Sequence, residues 1–230
     1  MAERLLTPAL TVFEQMAVDE VLAHTSGPAP ILRFYHWTEG PAVTFGYSQF
    51  YNTVCKQVPA SAGPLCRRPT GGGIVYHGKD LTFSLIFSSS LRPAEIYAKL
   101  HGAIERALTL AQLVDSSRQG TVPGAAYAPM RQGIASGCFA SPVQDDLLAD
   151  GHKILGGAIR RFDGKVLYQG SLQYAAAREN PAFRRAVTAG AEQMLGVTFQ
   201  TGVLREDVLA KARALSVEQY QTDGWLKKFA

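Results

Sequence analysis

The spacing of hydrophobic positions switches between two periods along the chain, and each switch marks an element. In "TVFEQMAVDEVLAH", Phe13, Met16, Ala17 and Val21 recur at helical spacing and predict an amphipathic helix. "ILRFYHW" and "AVTFGYS" are rich in β-branched and aromatic residues and predict strands, separated by the turn-forming "TEGP". "DLTFSLIFSSS" sets Leu81, Phe83, Leu85 and Phe87 against Thr82, Ser84, Ile86 and Ser88, the period of a strand with one well-buried face. "PAEIYAKLHGAIERALTLAQL" carries the clearest helical stripe, Ile96, Leu100, Ile104 and Leu108 with Ala103 and Ala107, and Pro93 suits its first turn.

A less regular stretch, "VDSSRQGTVPGAAYAPMRQG", leads to strand-like runs punctuated by Asp150-Gly151 and Asp163-Gly164, both strong hairpin signals. Two amphipathic helices close the chain, "NPAFRRAVTAGAEQML" and "REDVLAKARALSVEQY". Hairpins outnumber helical crossovers. The expected fold is therefore α+β, a mixed and largely antiparallel sheet with packed helices, in a single domain over residues 1–230. There is no internal repeat, low-complexity tract or linker.

Composition narrows the class. Of 230 residues, 47% are hydrophobic and 18% charged, which suits a globular protein with a substantial core. No apolar run reaches membrane-spanning length, and the N-terminus does not read as a signal peptide, so a cytoplasmic protein is expected. The net charge of +4 is mild and no block of Lys or Arg suggests a nucleic-acid partner. Basic residues gather at Arg67, Arg68 and Lys79 and again at Lys153, Arg160 and Arg161, as a solvated surface or a face that attracts an acidic partner or a phosphate group. Three cysteines, Cys55, Cys66 and Cys138, without CxxC spacing support neither a disulfide framework nor a metal site.

The candidate chemistry lies in three places. In "RRPTGGGIVYHGKDLTFSL", Gly71, Gly72 and Gly73 interrupt strand-like sequence after a pair of arginines. Glycines there weaken a strand, so they form either a bulge or a bare backbone wall for a long thin ligand. The spacing is not that of a phosphate-binding P-loop. In "KILGGAIRR", alternation puts Lys153, Leu155, Gly157 and Ile159 on one strand face and Ile154, Gly156 and Ala158 on the other. Both faces are apolar or bare, so Lys153 is expected to be buried and in need of a compensating partner. Cys138 lies in loop-like "SGCFASP", outside any apolar periodic run, and a nearby ammonium would favour its thiolate.

Taken together, "RRPTGGGIVYH", "GHKILGGAIRR" and "GSL", with "MAVDEVL" and "ILRFYHW…PAVTFGYSQ", resemble the catalytic superfamily of lipoate-protein ligases, octanoyltransferases and biotin ligases. The stretch "CFASPVQDDLLADGHKILGGAIRR" looks most like the cysteine-dependent, ligase-like octanoyltransferases. That resemblance implies Cys138 as nucleophile and Lys153 as the lysine that contacts the acyl group. It implies that Arg68, Gly71, Gly72, Gly73, His77, Gly156 and Gly157 line the acyl channel. Two positions depart from the pattern: Gly157 replaces a frequent serine, and Gln169 stands where many relatives have histidine.

The implied reaction carries octanoate from acyl carrier protein to Cys138 and then to a lysine of a lipoyl domain, in 2-oxoacid dehydrogenases or the glycine cleavage H protein. It needs no metal and no cofactor. The main alternative is an ATP-dependent lipoate-protein ligase, which would need ATP and Mg. Such ligases are often larger, with a C-terminal accessory domain for which the sequence after "DGWLKKFA" leaves no room. An octanoyl amidotransferase and a non-catalytic acyl-binding relative are further readings.

Overall fold

A computed structural model describes residues 1–38, 40–114, 119–121 and 144–229 of the chain; Cys138 lies outside them. From the N-terminus, β1 (Glu3–Leu6) is followed by α1 (Val12–Thr25), β2 (Ile31–Phe34), β3 (Ala42–Phe45) and the short α2 (Tyr51–Cys55). Next come β4 (Leu65–Arg67), β5 (Val75–His77), β6 (Leu81–Ser88), α3 (Pro93–Leu110), β7 (Gln119–Thr121), β8 (Leu147–Ala149), β9 (His152–Phe162) and β10 (Lys165–Leu172). After these lie α4 (Pro181–Leu195), β11 (Gln200–Val203), α5 (Glu206–Leu215), a π-helical turn (Ser216–Tyr220) and α6 (Asp223–Leu226).

Among the described residues the strands form two sheets. The larger runs β11-β1-β2-β6-β10-β9-β8-β7, and the smaller runs β4-β3-β5. Pairing is antiparallel from β2 through β6, β10, β9 and β8 to β7, whereas β1 lies parallel to both β2 and β11. This is the expected mixed, largely antiparallel α+β architecture. Strands β1 and β11, the latter at one edge of the large sheet, are four residues each, too short for a period to emerge from the sequence. The two strands around "TEGP" part company: β2 joins the large sheet and β3 the small one.

Local chemistry accounts for the helices. Thr11 caps α1, its hydroxyl accepting the Glu14 amide at 3.3 Å while the Glu14 carboxylate accepts the Thr11 amide at 2.9 Å. Asn180 caps α4 by accepting the Ala182 amide at 2.9 Å. The alternating residues Leu81, Phe83, Leu85 and Phe87 of β6 all pack into one cluster with Ile96, Leu100 and Ile104 of α3 and Phe183 and Val187 of α4. Ile86, on the other face of β6, packs with Met16, Ala17 and Leu22 of α1 and Val208 and Ala212 of α5. The central strands are therefore covered on both sides.

The hairpin turns fall at Asp150-Gly151 and Asp163-Gly164, where all four residues have positive φ, from 42° to 86°. That is the backbone of a type I′ turn. The β8–β9 pairing is irregular. Ala149 faces His152 and Leu148 faces Lys153, but Leu147 faces Leu155, so Ile154 is an extra residue on β9. This bulge corrects the expectation that Lys153 shares a face with Leu155 and Gly157. Ile154 and Leu155 both enter the same hydrophobic cluster, and the Lys153 side chain passes to the Gly156 side.

Helices α3 and α4 pack closely through Gly190, where a Cβ would lie 2.7 Å from the backbone nitrogen of Ile104. Gly102, on α3, offers space limited only by the end of Arg106 at 3.5 Å. Gly190→Ala is expected to lower unfolding stability by about 1–3 kcal/mol through overpacking. Gly102→Ala is expected to raise it by roughly 0.5–1 kcal/mol, because alanine loses less backbone entropy in a helix. Urea denaturation of the two variants side by side checks both signs.

Candidate active site

Between the sheets lies a narrow, partly open cleft with a cavity volume of about 30 Å³. One wall is Gly156–Ala158 of β9 and Gln169–Ser171 of β10; the other includes Thr44 of β3, Arg68, and Val75 and His77 of β5. Met16 of α1 and Tyr35 close it from the side of α1 and β2.

Lys153 is buried against Gly156, which lines the cleft, though Lys153 itself is not among the lining residues. Its ammonium is 2.8 Å from the Asp146 carboxylate, which is also buried. Removing two charges from water is unfavourable unless they meet, and this pair meets. Gly156 makes the arrangement possible: a Cβ there would fall 2.3 Å from Lys153 Cε and 2.7 Å from Nζ. Gly157 is used from the opposite face. A Cβ at Gly157 would lie 2.4 Å from the ring and hydroxyl of Tyr168, so a serine here would require that ring to move. The two glycines thus admit a lysine on one side of β9 and a tyrosine on the other.

Beneath them, Tyr168 pairs through its hydroxyl with His101 Nε2 at 2.7 Å, and His101 Nδ1 meets the Asp145 carbonyl at 2.7 Å. Burial pushes the His101 imidazole down to about 4, with the Lys153 charge adding to it against the bond to Asp145.

The arginine pair and the glycine run form a self-supporting loop. Arg68 donates to Thr44 Oγ1 and to the carbonyls of Gly71 and Gly73, each at 2.8 Å. Gly72 has a φ of +88°, a left-handed backbone that glycine adopts without strain. What comes against its backbone is Gly46, where a Cβ would lie 1.9 Å from the Gly72 carbonyl oxygen. Gly71, Gly72 and Gly73 stand behind Arg68, outside the residues that line the cleft. Arg67 points away, donating to carbonyls of Tyr47, Gln49, Trp225 and Leu226. Both arginines are buried, which corrects their reading as part of a solvated or partner-attracting basic face. Backbone carbonyls have taken up their donors.

His77 is buried between Asp80, 2.9 Å from Nδ1, and the Thr44 hydroxyl, 2.8 Å from Nε2, and it stacks on Trp37. Burial opposes ionisation of Asp80. The His77 charge and hydrogen bonds from His77, Ser171 and Thr82 outweigh it and hold the carboxyl at about 2.

Sequence reasoning passed over a second buried centre. Asp19 of α1 accepts from Arg33 Nε at 3.0 Å and Nη2 at 2.7 Å, from Ser84 at 2.7 Å, from Gln169 at 2.8 Å and from the Tyr35 hydroxyl. Burial foremost, with the Asp19 charge, raises the Tyr35 phenol well above its ordinary range. Gln169 also accepts from Thr70 at 2.6 Å and so ties the glycine loop to Asp19. The signal was an aspartate inside the apolar run "MAVDEVL" and an arginine inside the strand "ILRF", charges that must find each other.

These two shifts set an acid-side pH dependence. His101 lies below its unfolded value of about 6.5, so its contribution is complete above about pH 6.5 and lost as the pH falls toward 4. Asp80 adds a loss at still lower pH, from about 3.9 down through 2. Stability is expected to fall by on the order of 3 kcal/mol between pH 6.5 and 4. Denaturation midpoints measured across that window check it, and His101→Asn should flatten the slope.

Comparison with known proteins places the chain in a family. Residues 11–210 match the lipoyl protein ligase A/B catalytic domain. The octanoyltransferase LipM of Symbiobacterium thermophilum is 28% identical over 257 residues, 92% of this chain and 93% of that protein. The octanoyltransferase LipM of Oceanobacillus iheyensis is 34% identical over 169 residues, 68% of this chain and 58% of that protein. Two solved structures share the fold. A lipoate-protein ligase A bound with ATP aligns over both whole chains with a TM-score of 0.77 and 24% identity. A bi-partite lipoate protein ligase of Thermoplasma acidophilum, described together with its E2 lipoyl domain, aligns over 100% of this chain and 96% of that one with a TM-score of 0.71 and 22% identity. With the family model covering most of the chain, the chain belongs to the lipoyl protein ligase A/B catalytic domain family.

Proposed function

We propose that this chain is an octanoyltransferase of protein lipoylation, taking an octanoyl group from the thioester of an acyl carrier protein and delivering it to a lysine of a lipoyl domain. The observation that carries the reading is Lys153, a buried ammonium paired with Asp146 at 2.8 Å beside a cleft, in a chain whose relatives bear the name octanoyltransferase.

Cys138 is the proposed acyl acceptor. Its thiolate attacks the thioester carbonyl, the carbon–sulfur bond to the carrier breaks, and the departing thiol takes up the proton that Cys138 gave up. In the second transfer the amine of the receiving lysine attacks the Cys138 thioester. An amide forms, and the nitrogen's proton returns to the cysteine sulfur. Both steps pass through a tetrahedral oxyanion, which a fixed N–H donor in a site shielded from water stabilises strongly. Lys153, held by Asp146 rather than mobile in solvent, is suited to that task. A thioester carbonyl is already activated, so this route calls for no adenylation.

Intact-protein mass spectrometry after mixing with octanoyl-loaded acyl carrier protein, without ATP or magnesium, tests the reading. An octanoyl adduct is expected on the wild type and none on Cys138→Ser. Lys153→Ala is expected to form the adduct on the order of 100-fold more slowly. Absence of an adduct, with acylation of a lipoyl domain only when octanoate, ATP and magnesium are supplied, would make the protein a ligase instead.

A further inference from the structure

Lys153 is held by Asp146, and something must in turn hold Asp146. The preceding residue, Asp145, has a φ of +66°, a left-handed conformation that is unfavourable for a side-chain-bearing residue and persists where its surroundings impose it. The Asp145 carbonyl oxygen lies 2.7 Å from His101 Nδ1, in the middle of α3. A carbonyl can only accept, so Nδ1 carries the proton. In the neutral ring Nε2 is then an acceptor, and the Tyr168 hydroxyl 2.7 Å away donates to it.

The imidazole is buried, and the rings of Tyr97 and Tyr168 lie against it, with centroids 5.5 Å and 5.8 Å from its own. Burial keeps it neutral at pH 7. Tyr168 in turn occupies the space that Gly157 and Gly170 leave on the underside of the cleft strands. One side chain thus joins the turn that carries Asp146 to the floor under the cleft.

We propose that His101 is a positioning residue for Lys153: its Nδ1 hydrogen bond fixes the strained Asp145–Asp146 turn, and so fixes where Asp146 holds the ammonium beside Gly156. His101 does not itself line the cleft; its two hydrogen bonds run to the Asp145 carbonyl and to the Tyr168 hydroxyl. For its effect on turnover, the inference rests on the octanoyl-transfer reading; for its effect on Lys153, it stands without it.

Two variants separate positioning from plain structural support. His101→Asn keeps an N–H donor near the place of Nδ1, whereas His101→Leu removes both bonds and fills the space. Each is compared with the wild type in two measurements at pH 7.5. One is the rate at which an amine-acetylating reagent labels Lys153, followed by peptide mass spectrometry. The other is octanoyl transfer, resolved into kcat and KM.

His101→Leu is expected to raise the labelling rate of Lys153 about tenfold and to lower kcat by roughly 10- to 100-fold with KM nearly unchanged, as a small displacement of a reacting group does. His101→Asn is expected to stay within about threefold of the wild type in both. If His101→Leu does not fold, Tyr168→Phe replaces it and should raise labelling by a smaller factor than about tenfold. A folded His101→Leu with lowered melting temperature but unchanged Lys153 labelling and unchanged kcat would overturn the proposal. So would unchanged labelling in Tyr168→Phe where that variant has to serve. A wild type that labels as expected but transfers no octanoyl group would overturn the functional reading and leave the positioning role standing on the labelling data.

Discussion

The structure around the cleft depends on the burial of one ammonium group. A lysine removed from water needs an opposite charge at contact distance, and that need shapes everything near Lys153. It calls for Asp146 at 2.8 Å, for a bulge in β9 that redirects the side chain, and for a glycine at 156 over which the chain can lie. It also calls for a firm turn at Asp145, because a loose one would let the carboxylate drift and leave the charge uncompensated. A bulge, a bare glycine and a left-handed aspartate each weaken local structure. Their concentration within twelve residues, 145–156, marks a place where stability has been given up for geometry.

The opposite wall solves the same problem with neutral partners. Arg67 and Arg68 are buried and surrounded chiefly by backbone carbonyls, which accept hydrogen bonds without carrying a counter-charge. The result is a rigid loop that sets the positions of Thr44 and His77 along the cleft. The Asp19 centre ties this wall to the core: Gln169 reaches Thr70 on one side and Asp19 on the other, and Arg33 closes the charge balance. A cleft supported in this way is held in shape by its own hydrogen bonds.

Much of this was legible in the chain. The period-two run of β6, the stripe of α3 and the Asp-Gly turns each produced the expected element, because those signals arise from side chains meeting one continuous apolar face or one turn backbone. The burial of Lys153 followed from the apolar character of its neighbours on both faces. The role of Gly71–Gly73 did not. The sequence shows that something comes close to that backbone, but Gly46 lies far along the chain from Gly72, and only the path of β3 brings them together. The same holds for Asp19 and Arg33: each is visibly out of place in its own apolar segment, and their meeting is a property of how α1 packs on the sheet.

By itself, then, the sequence determined the longer elements, the fold class and most of the residues too polar or too bare for their surroundings. Those are local quantities, set by side-chain period, turn propensity and the unfavourable burial of charge. Tertiary structure alone decided which misfit answers which: Lys153 to Asp146, Arg68 to the glycine carbonyls, Asp19 to Arg33, His101 to a carbonyl on a turn 44 residues away. A buried polar group fixes that a partner must exist, whereas the identity of the partner depends on where the folded backbone delivers a complementary atom to within about 3 Å.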